Sequence, residues 1–257
     1  MTVLVSIPTY GVDRELLEKS VRSVLAQTYR DLVCVVVGDG ETPPLSGISD
    51  SRLVVHSYPV NRGAYFAQDV AIWASPHEWY APVASDDWLD PDHIERMVAL
   101  NKDVACGALY AHGDGPNYCG SDHNDHAECR GILVRKAYEV GMYRVERYRE
   151  IGAHNPNERI GQDSLTLKVM RIVSPVGATD VPTYNRRFRQ GSLSTHPDTN
   201  RDSDARIKMR MRNREIVRQC SILRTAGRIK AYRQSLVPSD VQAALDEQVE
   251  QLRRKLT

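Results

Sequence analysis

Unbroken apolar runs and helical stripes take turns along the first 100 residues. Residues 2–7 form a β-rich run that Pro8 is expected to stop. Asp13 then caps a predicted helix whose buried stripe is Leu17, Val21, Val24 and Leu25. Residues 32–37 are apolar without alternation, the pattern of a strand covered on both faces, and Gly38-Asp39-Gly40 turns the chain at its end. A Pro/Gly/Ser loop over 42–51, a third strand over 52–57 and a helix over 63–75 follow, the helix with Tyr65, Val70 and Ile72-Trp73 as apolar candidates. Residues 78–84 read as a strand, Ser85-Asp86-Asp87 as the turn after it, and Asp90-Pro91 as the N-cap and first position of a helix over 91–101.

Strands alternating with helices predict an α/β fold, a mainly parallel Rossmann-like sheet flanked by helices. Ligands in such sheets bind beyond the carboxyl ends of the strands. Pro8-Thr9-Tyr10, Asp39 and Asp86-Asp87 all fall just after predicted strand ends, so they are expected to share one rim. Two adjacent carboxylates at the end of a half-buried strand repel each other, and a hard divalent cation, Mg²⁺ or Mn²⁺, relieves that repulsion. The plainer reading of the pair is a solvated acidic turn. Asp87 is expected to face solvent there.

The second half has a different character. Residues 104–112 are strand-like, and the polar loop after them holds Cys119, His123, His126 and Cys129, four side chains able to ligate zinc at spacings more compact than common fingers or ribbons. Residues 203–233 are helix-prone and basic, and Leu245, Val249, Leu252 and Leu256 form a stripe suited to packing on the body or on a second copy. A homodimer through these C-terminal helices is therefore one expectation. Residues 1–200 carry 20 Lys/Arg against 26 Asp/Glu, and residues 201–257 carry 14 against 7. This divides the chain into a body and a basic helical extension. A solvated face, or one complementing the acidic body, is favoured for that extension over contact with a membrane surface or nucleic acid. The totals, 41% hydrophobic and 26% charged, are ordinary for a globular protein. There is no apolar run of transmembrane length, and Met1 leads straight into a strand pattern, so a signal peptide is not expected. Five scattered cysteines argue for a reducing compartment, and the expected location is cytoplasmic, at most peripheral to a membrane.

The segments Val5-Ser6-Ile7-Pro8-Thr9-Tyr10, Ser23-Val24-Leu25-Ala26-Gln27-Thr28-Tyr29, Val36-Val37-Gly38-Asp39-Gly40, Asn61-Arg62-Gly63 and Ser85-Asp86-Asp87 resemble, in order and spacing, the successive motifs of family 2 glycosyltransferases with the GT-A fold. The resemblance implies a nucleotide-sugar half over about 1–100 and an acceptor half over about 101–200. Pro8, Thr9, Tyr10 and Asp39 would hold base and ribose, with Arg62 and Ser85 beside them. Asp86 would sit at the ribose and Asp87 at a diphosphate-bound metal, Asp86 being the second candidate ligand. Gly161-Gln162-Asp163 resembles the family's Glu-Asp motif, making Asp163 the expected catalytic base, with His154 the weaker choice. Residues 182–196 resemble the strand and loop that close over the donor, so Arg187, Arg189, Ser192 and Ser194 are candidate phosphate contacts and His196 a candidate third metal ligand. The chain departs from the pattern at Gly11, Gly38, Glu41, Gln68, Asp69, Ala84 and Gln162.

These residues imply an inverting, metal-dependent hexosyltransferase acting on a nucleotide-sugar donor and an acceptor saccharide, lipid-linked saccharide or protein. A catalytically inactive relative that only binds a nucleotide sugar or a partner is the alternative. A nucleotidyltransferase ranks below both, because Pro8-Thr9-Tyr10-Gly11 is not a Gly-rich phosphate loop.

Overall fold

The computed structural model describes residues 1–112, 133–187, 196–200 and 202–256, the side chains of 133–140 excepted. In chain order the elements are β1 (Val3–Thr9), α1 (Arg14–Leu25), β2 (Leu32–Asp39), β3 (Leu53–Tyr58), α2 (Ala64–Ala74), β4 (Trp79–Pro82), β5 (Trp88–Leu89) and α3 (His93–Ala99). Then come β6 (Val104–His112), β7 (Leu133–Arg144), α4 (Val145–Glu150), α5 (Gln162–Val173), β8 (Val176–Arg187), α6 (Asp204–Leu223), α7 (Ala226–Gln234) and α8 (Ser239–Leu256).

The strands form a single sheet in the order β3-β2-β1-β4-β7-β6-β8-β5. β3, β2, β1 and β4 run parallel, as the unbroken apolar runs predict. Beyond β4 the sheet is mixed: β7 is antiparallel to β4 and β6, β8 is parallel to β6, and the two-residue β5 is antiparallel to β8. The sheet is thus less parallel than the sequence suggests. β1, β2 and β4 are largely apolar because both faces are covered, while the edge strand β3 leaves Val55 and Ser57 exposed. Leu4, Val35 and Val37 pack with α2, α5 and the C-terminal helices, while Val3, Val5, Cys34 and Val36 pack with α1 and α3.

Pro8 does not stop β1, which runs on to Thr9. Residue 8 faces the same side of the strand as Ser6, whose carbonyl accepts the last bond from the β4 side, from Val83 N at 3.0 Å. Pro8 thus lies where no N–H is needed. The helix expected over 91–101 begins at His93, because Asp90 is otherwise engaged: its Oδ1 accepts from Asn185 Nδ2 (2.8 Å) and its carbonyl accepts from Gln27 Nε2 (2.7 Å).

The apolar stripe of α8 is spent within the chain. Leu245, Val249 and Leu252 are buried in the core shared with α2, and Leu256 packs against it. Gln248 Oε1 lies 3.1 Å from His56 Nε2, and Lys255 Nζ donates to the Val55 carbonyl at 3.0 Å. The stripe is therefore not available to a second copy. Cys34, Cys106 and Cys220 are free and buried. The Cys119/His123/His126/Cys129 group lies outside the described residues. No helix among the described residues is long and apolar enough to cross a membrane.

Candidate active site

Since β2, β1 and β4 are adjacent and parallel, their carboxyl ends open on one edge. Thr9 ends β1 and Tyr10 follows it, Asp39 ends β2, and Ala84 to Asp87 follow β4. The strand ends that the sequence predicts to share a rim are neighbours here. Tyr10 is 60% exposed, open to stack on a planar group. Pro8 and Thr9 are buried beside it.

Asp39 is buried, and its oxygens accept from Arg62 N (2.6 Å) and Gly63 N (2.7 Å). The carboxylate thereby holds the N-terminus of α2, where negative charge is favoured. Gly38, where the family often has an acid, is imposed by the loop: a Cβ there would lie 2.1 Å from the Glu41 carbonyl oxygen and 2.7 Å from Pro43 Cδ. Glu41 itself folds back over the end of β1. Its Oε2 accepts from Gly11 N (2.8 Å) and its Oε1 from Thr9 Oγ1 (3.3 Å).

The Arg62 guanidinium lies 5.3 Å from the Phe66 ring centroid. A second cation, Arg159, joins it from the loop before α5, donating to the Asn61 carbonyl (3.0 Å) and to Asn61 Oδ1. Its aliphatic stem covers Gly63, where a Cβ would meet Arg159 Cδ at 2.8 Å. Nothing in the sequence marks Arg159, because 98 residues separate it from Asn61.

The acidic pair divides into two roles. Ser85 and Asp86 are half-buried at the rim. Asp87 is buried, contrary to the expectation of a solvent-facing turn. Its Oδ2 accepts from Tyr184 Oη (2.7 Å) and its Oδ1 from Arg187 N (2.7 Å), and Tyr184 Oη in turn accepts from Ala84 N (3.2 Å). Asp87 thus fastens the turn after β4 to the end of β8. Burial pushes its carboxyl up to about 7; the charge of Asp86 adds to the rise, and the bonds from Tyr184 and Arg187 oppose it. The Arg187 guanidinium lies 5.3 Å from the Trp88 ring centroid, and Lys19 Nζ lies 3.6 Å from it.

His196 is exposed, with Nδ1 accepting from Asp198 N at 3.2 Å. Among the described residues no group of three or more His, Cys, Asp or Glu comes together as a metal site, so His196 does not join Asp86 and Asp87. Arg189, Ser192 and Ser194 lie outside the described residues.

Asp163 stands in the first turn of α5, after Gly161 in the left-handed conformation (φ 74°). Its Oδ1 accepts from Tyr65 Oη at 3.1 Å. Burial, and then the Asp163 charge, raise the Tyr65 phenol well above its ordinary value, so it stays a donor at neutral pH. His154, the second base candidate, is engaged by its surroundings. It is buried, its Nδ1 lies 2.7 Å from Asp69 Oδ1, and its Nε2 lies 2.8 Å from Tyr148 Oη. The same contacts account for the buried Asp69, whose Oδ1 also accepts from His154 N at 3.2 Å. Gln162 is buried and accepts from Asn155 N (3.0 Å), shaping the loop before α5.

The inner face of α6 holds the start of α5. Asn213 Nδ2 donates to the Gly161 carbonyl (3.0 Å), Arg212 pairs with Glu158, and a Cβ at Gly161 would lie 2.4 Å from Met209 Sδ. The C-terminal extension therefore buttresses the helix that carries Asp163.

The family model for glycosyl transferase family 2 matches residues 4–170, and the chain belongs to that family. It is 28% identical over 221 residues to glycosyltransferase GlyA of Streptococcus pneumoniae, a match covering 75% of this chain and 31% of that protein. It is 32% identical over 104 residues to the glucosyl-dolichyl phosphate glucuronosyltransferase of Haloferax volcanii, covering 38% of this chain and 33% of that protein. Against hyaluronan synthase of Streptococcus pyogenes the identity is 30% over 122 residues, 43% of this chain and 29% of that protein. These matches span about a third of the length of the curated relatives. Among solved structures, S. aureus TarS 1-349 aligns with a TM-score of 0.55 at 17% identity, covering 73% of this chain and 60% of that one. Its complex with UDP-GlcNAc aligns at 0.57 and 18%, covering 75% and 60%. These likenesses establish the GT-A fold.

Proposed function

We propose that the chain transfers a sugar from a uridine diphosphate donor to an acceptor hydroxyl, with inversion at the anomeric carbon. The observation that carries this reading is the common carboxyl edge of β1, β2 and β4, which gathers Thr9, Asp39 and Asp86. The complexes of TarS with UDP and with UDP-GlcNAc support uridine as the base. Tyr10 receives the base through its exposed ring, and the buried Thr9 and Asp39 shape the floor beneath base and ribose. Arg62 and Arg159 supply positive charge at the start of α2.

A divalent cation, Mn²⁺ or Mg²⁺, fits this edge, because such ions take one or two carboxylates and complete their shell with water and phosphate oxygens. Asp86 is the carboxylate for it. Asp87, with both oxygens engaged, holds the turn beneath. When bound, the ion supplies Lewis-acid stabilisation of the departing diphosphate. Asp163 accepts the proton of the attacking hydroxyl, and Tyr65 holds the carboxylate in place. Direct attack by that hydroxyl on the face opposite the diphosphate gives inversion. The acceptor is a saccharide hydroxyl, carried on a lipid or a protein.

The test is nucleotide release from a panel of UDP-, GDP- and dTDP-sugars with Mn²⁺. Release from a UDP-sugar that is lost in Asp86→Ala supports the proposal. A folded chain that binds nucleotide sugars and never releases the nucleotide, with or without acceptor extracts, is instead the inactive relative.

A further inference from the structure

The outer face of α6 carries a pattern that neither the active site nor the core uses. Met209, Asn213, Ile216 and Cys220 are its buried positions. At about 100° per residue, Ile207, Met211, Arg214, Arg218 and Ile222 fall on the opposite side, in a strip roughly 60–80° wide with Arg210 at its margin. The three apolar members are among the most exposed large hydrophobic side chains described: Ile207 42%, Met211 65% and Ile222 61%. α6 carries six Lys/Arg against two Asp/Glu; of the two acids, Asp204 stands in the first turn at one end of the strip, and Glu215, at its edge, is paired with Arg218 at 2.8 Å. Aliphatic side chains spaced among arginines over about 22 Å of helix suit a partner with an apolar interior and an anionic skin. Nucleic acid would favour aromatic or polar side chains between the basic ones.

We infer that the outer face of α6 docks on an anionic lipid bilayer, the arginines at the headgroups and Ile207, Met211 and Ile222 entering the acyl boundary. Because the inner face of the same helix grips Gly161, docking sets the start of α5, and with it Asp163, at a fixed height above the membrane. This inference does not depend on the transfer reaction.

The test is co-sedimentation of the full chain with vesicles of phosphatidylcholine alone or mixed with phosphatidylglycerol. Two variants accompany it, Arg210→Glu/Arg214→Glu and Ile207→Ser/Met211→Ser/Ile222→Ser. All five positions are exposed, and thermal unfolding checks that both variants fold as the parent does. A basic side chain at an anionic surface contributes about a fivefold factor in partitioning, so the arginine variant should bind at least ~25-fold more weakly. The serine variant should also lose most binding, the parent should ignore neutral vesicles, and added salt should weaken it. The inference is overturned if anionic vesicles do not bind the parent, or if both variants bind as the parent does. It is equally overturned if light scattering shows that the face makes a dimer lost in the serine variant, or if an RNA oligonucleotide binds the parent more tightly than the vesicles.

Discussion

Replacing Asp87 by alanine should make this protein unfold more readily than the same change at its neighbour Asp86. Asp87 is buried, and its two oxygens satisfy the Tyr184 hydroxyl and the Arg187 amide, each at 2.7 Å. Alanine leaves both donors without a partner in a place water does not reach. Each such orphan costs about 1–3 kcal/mol, so the loss is about 2–6 kcal/mol. In a chain of this size that lowers the unfolding temperature by roughly 5–20 °C. Asp87→Asn should fall in between: the new side chain can still accept from Arg187 N, but its amide would face the Tyr184 hydroxyl with a donor. Asp86→Ala, at a half-buried rim position, should lose clearly less than Asp87→Ala. Urea unfolding of the four proteins, followed by circular dichroism, reads all of this. An Asp87→Ala protein as stable as the parent would refute the reasoning and return Asp87 to the role of a free metal ligand.

Three further outcomes follow from the structure. His93 is buried against Thr183 and its imidazole is held down to about 4, so the unfolded chain takes up a proton that the folded chain refuses. Stability present above pH 6.5 is then lost as the pH falls toward 4, by about 3 kcal/mol in full, and His93→Gln should flatten that part of a pH series of urea midpoints. Restoring the family's acid with Gly38→Asp should weaken UDP binding and cost about 1–3 kcal/mol, since the new Cβ collides with the backbone of Glu41; calorimetry that shows tighter binding would contradict this. Tyr65→Phe should lower kcat about 2–10-fold with donor affinity unchanged, because the bond that steadies Asp163 is lost together with the hydroxyl's backbone contacts at Gln162 and Asp163; an altered donor Kd would move Tyr65 into the nucleotide site.

The parallel half of the sheet and its rim were legible because local pattern dictates them: apolar runs covered on both faces, each followed by a turn carrying Thr9, Asp39 or Asp86. The division of labour within the acidic pair was not legible. Asp87 is fixed by Tyr184 and Arg187, about 100 residues away, and no local spacing announces a distant hydroxyl. His154 looked available for the same reason, its partner Asp69 lying 85 residues earlier. The helix expected from Asp90 began late because Asn185, on β8, takes that carboxylate. Arg159 and Glu41 entered the site through loops whose paths follow from contacts at Asn61 and Gly11 rather than from any motif. The α8 stripe was read correctly as an apolar face, but only the packing of α2 against it decided between the body and a second copy.

The central claim is that the carboxyl edge of β1, β2 and β4 binds a nucleoside diphosphate through Asp86 and a divalent ion. Titration calorimetry of UDP with Mn²⁺, on the parent and on Asp86→Ala, tests it most directly. The account predicts saturable binding to the parent that needs Mn²⁺ and falls at least about tenfold in Asp86→Ala, a loss of about 1.4 kcal/mol or more. Equal binding by the two folded proteins, or none by the parent to any nucleoside diphosphate, would contradict it.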